Sequence, residues 1–237
     1  MRIYPKLEIG AGSTAKREGW INADFYPGPN IDAVFDACGP WPFDDNSIGS
    51  VSANHVLEHL NDPFAFFAEA WRVLAPTRLQ TPNLFIRVPY GPSEGGLGDI
   101  THIKHFVPTS FACVQQGYGD HIKNPQYRNK AAPFEVLQIY KRIHPDLAWM
   151  MKPLVRKASL KILPYMWGGY CELIVGLRPL KNGETVQDPG TIPVVNMMYR
   201  HEYEGRELNK GESMKTMFFG GKEAKELQRM ADQKEQK

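Results

Sequence analysis

Short runs of contiguous or alternating apolar side chains recur through the first 90 residues. Each is closed by a turn or helix signal, which predicts a parallel sheet flanked by helices. Lys6–Ile9, Trp20–Asp24, Ala33–Asp36, Ile48–Asn54 and Asn83–Val88 are the predicted strands. Between the last two, Phe64, Phe67, Trp71 and Leu74 recur at helical spacing. Asp62 is placed to cap that helix, Pro63 suits its first turn and Ala75-Pro76 stops it. Phe134–Lys141 and Tyr170–Arg178 read as strands that extend the sheet, after a short helix over Thr109–Gln116.

Between those two strands, Leu147–Trp167 mixes Met150, Met151, Leu154, Val155, Leu160 and Trp167 with Lys152, Arg156, Lys157 and Lys161, and is broken by Pro153 and Pro164. This basic amphipathic insert is read as a lid or cap, in preference to a peripheral membrane contact. After Pro179 the chain turns polar, with Asn182-Gly183, Pro189-Gly190 and Gly220-Gly221 as punctuation. Residues 1–180 are therefore expected to form one domain. Residues 181–237 are expected to form a polar extension, partly disordered or partner-binding, in which Met197, Met198, Tyr199, Met217, Phe218 and Phe219 are the apolar exceptions.

Composition narrows the class without naming a chemistry. The 237 residues, 42% hydrophobic and 23% charged, are globular in make-up, which excludes collagen-like, coiled-coil and wholly disordered readings. A formal charge of +2 gives no footprint for nucleic acid, which is disfavoured as a partner. Cys38, Cys113 and Cys171 form no C-x-x-C pair, so neither a disulfide framework nor a cysteine metal site is expected. With no apolar leader and no run of about 18 to 20 apolar residues, a cytoplasmic location is the expectation.

The chemistry concentrates in Leu7-Glu8-Ile9-Gly10-Ala11-Gly12, a strand that ends in a Gly-x-Gly turn. Glycines there let a ligand approach the backbone at the carboxyl edge of the sheet, where open α/β folds bind ligands. With Ala15 the run also satisfies the loose dinucleotide fingerprint, so a nicotinamide-dependent oxidoreductase is an alternative. A pyrophosphate needs a helix N-terminus after the turn, and Ser13–Gly19 leaves room for two helical turns at most. A nucleoside cofactor without phosphates, such as S-adenosylmethionine, makes no such demand. Asp24 and Asp36 end the next two predicted strands, where carboxylates can accept from ribose hydroxyls and from an adenine amino group.

Four motifs follow in order: Glu8–Gly12, Gly19-Trp20-Ile21-Asn22-Ala23-Asp24, Asp36 with Trp41–Ser47, and His55–Leu60. On these, residues 6–90 resemble a class I S-adenosylmethionine-dependent methyltransferase of the small type 11-like group. The resemblance implies a Rossmann-like, mostly parallel seven-stranded sheet flanked by helices, and a cytoplasmic transferase catalysing methylation. It implies that Glu8, Gly10, Ala11 and Gly12 line the methionine end of the cofactor, Asp24 the ribose, Asp36 with Ala37 the adenine, and Asn54 with His55 the pocket floor. Glu58, His59 and Tyr90 are expected to shape the acceptor pocket.

His55-Val56-Leu57-Glu58-His59 also matches His-x-x-Glu-His, a zinc motif that requires a continuous helix. The fresh helix start at Asp62-Pro63 argues against that reading, so no metal is expected. Asp99–Phe106 resembles the Asp-x-Thr-His-x-x-x-Phe stretch of the same group, which faces the acceptor. His102 is the first candidate for the general base and His105 the second. The acceptor itself is expected to be an O or N nucleophile of a small molecule, sugar or glycan/lipid precursor, and the oligomeric state is not encoded. A cofactor-binding scaffold without turnover, acting through its tail, is a further alternative.

Overall fold

The computed structural model describes residues 4–76, 81–123, 132–144, 146–147, 156–163 and 166–197. Its strands are β1 (Lys6–Ile9), β2 (Trp20–Asp24), β3 (Ala33–Val34), β4 (Ser50–Asn54), β5 (Leu84–Pro89), β6 (Phe134–Ile143), β7 (Tyr170–Pro179) and β8 (Val194–Met197). They form one sheet in the order β3-β2-β1-β4-β5-β7-β6-β8. β1 to β5 pair in parallel, whereas β7 runs antiparallel between β5 and β6. This is the expected mostly parallel seven-stranded, Rossmann-like sheet. An eighth strand is added at its edge, where β8 pairs in parallel with β6.

The central strands are apolar on both faces because the sheet is covered on both sides. Leu7, Val51, Ala53, Leu84, Ile86, Leu173, Val175 and Leu177 are buried in one core. α1 (Pro63–Val73) packs on it, and the Asp62 carboxylate caps that helix by accepting from Phe64 N at 2.9 Å and Ala65 N at 3.2 Å. Its buried positions are Phe66, Phe67, Ala70 and Val73; of the predicted Phe64, Phe67, Trp71 and Leu74, Phe67 and Leu74 join the core and Phe64 and Trp71 pack against it half-buried. Trp71 also meets the chain leaving β7. Its indole donates to the Leu180 carbonyl at 2.9 Å, and the Lys181 ammonium sits 3.6 Å from its ring centre.

The structure corrects several expectations. No helix follows β1: Ser13–Gly19 is loop, held by Lys16 on Asp32 and by Arg17 on Glu8. β3 ends at Val34, two residues before Asp36. The predicted helix at Thr109–Gln116 is a 3-10 segment over Pro108–Val114. A domain boundary at residue 180 falls inside the packed unit, since Gln115 donates to the carbonyls of Pro189 and Thr191 and β8 joins the sheet.

Of the amphipathic insert, α4 (Arg156–Ile162) is described; it follows α2 (Glu94–Leu97) and α3 (Tyr118–His121) in chain order. Leu163, with Leu147 and Met166, packs around Ile143 and Tyr170 in a small second core. The remainder of that insert, including Met150, Met151, Leu154 and Val155, and the tail residues Met198, Tyr199, Met217, Phe218 and Phe219 lie outside the described residues. Among the described residues, no helix is long and apolar enough to cross a membrane.

Candidate active site

The parallel strands deliver their carboxyl ends to one edge of the sheet, and most of the predicted site residues lie there. Gly10 and Gly12 turn the chain out of β1 with φ of +70° and +51°, a backbone that side chains other than glycine rarely adopt. At Gly10 a Cβ would meet Val56 Cγ2 at 2.3 Å, which fixes how closely the turn approaches the end of β4. At Gly12 nothing lies within 4 Å of that position, so the turn presents bare backbone to open space. Such a cradle fits a ligand that must approach the main chain closely.

The acids around this turn are already held by the protein. Glu8 is buried, with one carboxylate oxygen on Arg17 Nη2 at 2.9 Å and the other on Asn54 Nδ2 at 2.6 Å. Asp24 accepts from Gly12 N at 2.9 Å and Tyr26 N at 3.0 Å, tying the tip of β2 to the glycine turn. Phe35 N donates to the Asp24 carbonyl at 3.1 Å, which brings the loop of Asp36 and Ala37 alongside. Within that loop Asp36 accepts from Cys38 N at 2.8 Å, and Ala37 is buried with its carbonyl accepting from Trp41 Nε1. Asp36 thus lies in a turn beside the predicted edge rather than at a strand end.

Beside this edge, over the ends of β4, β5 and β6 and the start of β7, opens a cleft of about 580 Å³. His55, Glu58, His59, and Asp99 and His102 of the Asp99–Phe106 stretch line it, as does a charged set that the motifs did not single out: Arg87, Arg142, His144 and Glu172. His105 and Tyr90 are not among the lining residues. Tyr90 packs edge-on to Tyr170 at 5.6 Å, and burial pushes its hydroxyl pKa up. His105 Nδ1 faces the Gly96 carbonyl at 3.0 Å.

Glu172 is the hub of the wall. It accepts from Arg87 Nε and Nη2 at 3.0 and 2.8 Å, from His55 Nε2 at 3.0 Å and from Arg142. Register explains the meeting, since Arg142 and Glu172 are directly opposite across β6 and β7. Burial works to raise the Glu172 pKa, but the His55 and Arg87 hydrogen bonds and the Arg87 and Arg142 charges overcome it and hold the carboxyl down at about 2. His55, in a left-handed backbone with φ of 52°, also meets Glu58 at 3.2 Å through Nδ1. Its hydrogen bonds to Glu172 and Glu58 raise its pKa to about 9, so it is a cation at neutral pH. The clearest sequence signal for this hub was Arg87, the one charged residue in the otherwise apolar run of β5, which a buried sheet tolerates only when the charge finds a partner.

Across the cleft, His59 and His102 stack edge to face with ring centres 4.8 Å apart. His59 Nδ1 lies 3.2 Å from both the carbonyl and the hydroxyl of Thr101, and His102 Nδ1 lies 3.4 Å from the Gly96 carbonyl. The 3-10 turn Leu57–His59 and the loop after α2 are pinned together, because Ile103 N and Lys104 N both donate to the Glu58 carbonyl. The predicted motif is therefore short of the continuous helix that a His-x-x-Glu-His zinc site requires.

A sheet whose carboxyl edge carries a glycine cradle and flanking acids, with a polar cleft next to it, defines an α/β enzyme that handles a nucleoside-type ligand. The family described as "Methyltransferase domain" matches residues 10–77, the stretch that holds the cradle, Asp24, Asp36 and the end of β4. Residues 10–77 therefore carry a methyltransferase-domain signature, and the sheet order is the one expected of a class I S-adenosylmethionine-dependent methyltransferase. No curated protein matches the chain. Among solved structures, an S-adenosylmethionine-dependent methyltransferase from Archaeoglobus fulgidus is 15% identical, with a TM-score of 0.47 over 74% of this chain and 86% of that one. Phosphoethanolamine N-methyltransferase 1 from Haemonchus contortus is also 15% identical, with a TM-score of 0.44 over 79% of this chain and 42% of that one.

Proposed function

We propose that the chain methylates an O or N nucleophile of a small polar acceptor, of sugar or glycan/lipid-precursor type, held in the cleft that His55 joins to the glycine cradle. The observation that carries this reading is the lining itself. A cleft of about 580 Å³ bounded by Arg87, Arg142, Glu58, Asp99, Glu172 and four histidines suits a hydroxylated or charged compound far better than a hydrocarbon chain.

When bound, S-adenosylmethionine supplies an electrophilic methyl group on a sulfonium, open to in-line attack. Glu8, Gly10, Ala11, Gly12 and Asn54 would hold its methionine end, Asp24 the ribose, and Asp36 with Ala37 the adenine. His55, fixed as a cation between two carboxylates, orients the wall between cofactor and acceptor and does not serve as a base at neutral pH. The acceptor's proton is left to the imidazoles on the opposite wall, His102 ahead of His59, with His105 behind the lining. The loop after β1 supports the choice over a nicotinamide cofactor, since a pyrophosphate would find no helix N-terminus between Gly12 and Trp20.

The test is a screen of fractionated metabolite extracts for tritium transfer from labelled S-adenosylmethionine, together with thermal shift in S-adenosylhomocysteine and NAD. Binding at a hundredfold excess over Kd adds about 2.7 kcal/mol of stability. Label in a polar small molecule and stabilisation by S-adenosylhomocysteine support the reading; stabilisation by NAD alone, or label only in apolar lipid, sinks it.

A further inference from the structure

One ligand atom from each of Glu58, His59 and His102 lies within 4.8 Å of those of the other two. Glu58 is 1% exposed, and its Oε2 has no hydrogen-bond partner among the described residues, whereas Oε1 is taken by His55. A buried carboxylate oxygen left without a donor costs about 1–3 kcal/mol or more, so the arrangement calls for a positive group to face it.

The two histidines are set up to accept that group. Carbonyls only accept, so these contacts favour the tautomer with the proton on Nδ1 of His59 toward Thr101 and on Nδ1 of His102 toward Gly96. This leaves both Nε2 atoms as lone pairs. Asp99 Oδ2 lies 3.7 Å from His102 Nε2, a second electron-rich group facing the first. Carbonyl partners behind ligating imidazoles are the usual means of fixing tautomer and ring orientation at a metal.

We propose that Glu58, His59 and His102 bind a divalent first-row transition ion of the zinc class, with Asp99 as the nearest further carboxylate and an open position toward the acceptor cleft. Two imidazoles and one carboxylate are the donor set of a catalytic rather than a structural site. Loading draws the donors from at most 4.8 Å to about 3.4 Å apart, the separation set by metal–ligand bonds of roughly 2.0–2.1 Å.

The site differs from the His-x-x-Glu-His reading of the sequence, because His55 is committed to Glu172 and the third ligand comes from a loop 43 residues beyond His59 in the chain. Its catalytic use rests on the methyltransferase reading. An acceptor hydroxyl on the ion loses its proton to solvent; its oxygen forms the new C–O bond as the C–S bond breaks and the electron pair stays on sulfur, leaving a thioether. In the loaded site His59 and His102 act through the ion, and the direct proton transfer given above belongs to the metal-free chain.

The test is titration of Co²⁺ into the full chain after treatment with chelator, read by visible d–d absorption without any methyl donor. One equivalent is expected, with affinity lowered about 100-fold or more in Glu58→Gln, His59→Gln and His102→Gln. Thr101→Val, which removes the hydroxyl that supports both His59 and Asp99 and leaves all three ligands in place, should weaken binding by about tenfold and serves if a ligand variant fails to fold. His144→Gln, in the same cleft but outside the set, should leave the affinity unchanged. Absence of a cobalt spectrum in the unaltered chain overturns the proposal, as does a spectrum that survives all three ligand substitutions. Binding of S-adenosylhomocysteine, measured separately, decides the methyltransferase reading without bearing on the metal.

Discussion

Glu172→Gln removes the counter-ion that Arg87, Arg142 and His55 share and leaves three cations facing a neutral amide. Breaking a buried ion pair from one side costs about 3–5 kcal/mol. Here the Glu172 and Arg142 side chains are 14% and 8% exposed but Arg87 is 32%, so solvent at the cleft screens part of the loss and about 2–4 kcal/mol is expected. At a urea m-value of about 2 kcal/mol/M, the unfolding midpoint should fall by about 1–2 M. The pH profile carries a second signature. His55 has its pKa raised from 6.5 to about 9, so its contribution is fully present below pH 6.5 and is lost as pH rises through 9. The full shift would correspond to about 3 kcal/mol, but the side chain is 44% exposed, and about 1–2 kcal/mol is the screened expectation. Urea unfolding at pH 6 and pH 9.5 should show this loss in the unaltered chain and much less of it in Glu172→Gln. An unchanged midpoint, or an undiminished pH slope in the variant, would refute the hub.

Three further perturbations address the edge and its support. Asp24→Ala should weaken S-adenosylhomocysteine binding by about 10–100-fold in calorimetry, the loss of a charge-assisted hydrogen bond, with the unfolding midpoint little changed; equal affinity would remove the ribose assignment. Gly10→Ala should both destabilise and abolish cofactor binding, because the φ of +70° and the 2.3 Å approach to Val56 Cγ2 act together. Pairing it with Val56→Ala should recover the steric part only, as read by thermal shift. Asp62→Ala should cost about 1 kcal/mol in chemical denaturation through loss of the α1 cap, without affecting cofactor affinity.

The elements written plainly in the sequence are those fixed by local pattern. β1, β2 and α1 start and stop where their apolar runs, the Asp62 cap and Pro63 say they should. Partnership across the chain was not legible. Trp71, at the rim of the buried face of α1, is held by Leu180 and Lys181, more than 100 residues away. β8 is a four-residue run that was read as part of the polar extension, and its place in the sheet comes from pairing with β6. The same holds for the site. The glycine turn and Asp24 sit in contiguous motifs, whereas Glu172, Arg87 and Arg142 become one cluster only through the register of β5, β7 and β6. Glu58, His59 and His102 converge because the loop after α2 is pinned to the Glu58 carbonyl, a backbone contact with no sequence signature.

Electron density for the chain crystallised with S-adenosylhomocysteine bears most directly on where the methyl donor is held. The account predicts the ribose on the Asp24 carboxylate, the amino-acid end over Gly10–Gly12, and the sulfur facing the His55 side of the cleft. Density for the nucleoside at any place that leaves Glu8, Asp24 and the glycine turn untouched would contradict it.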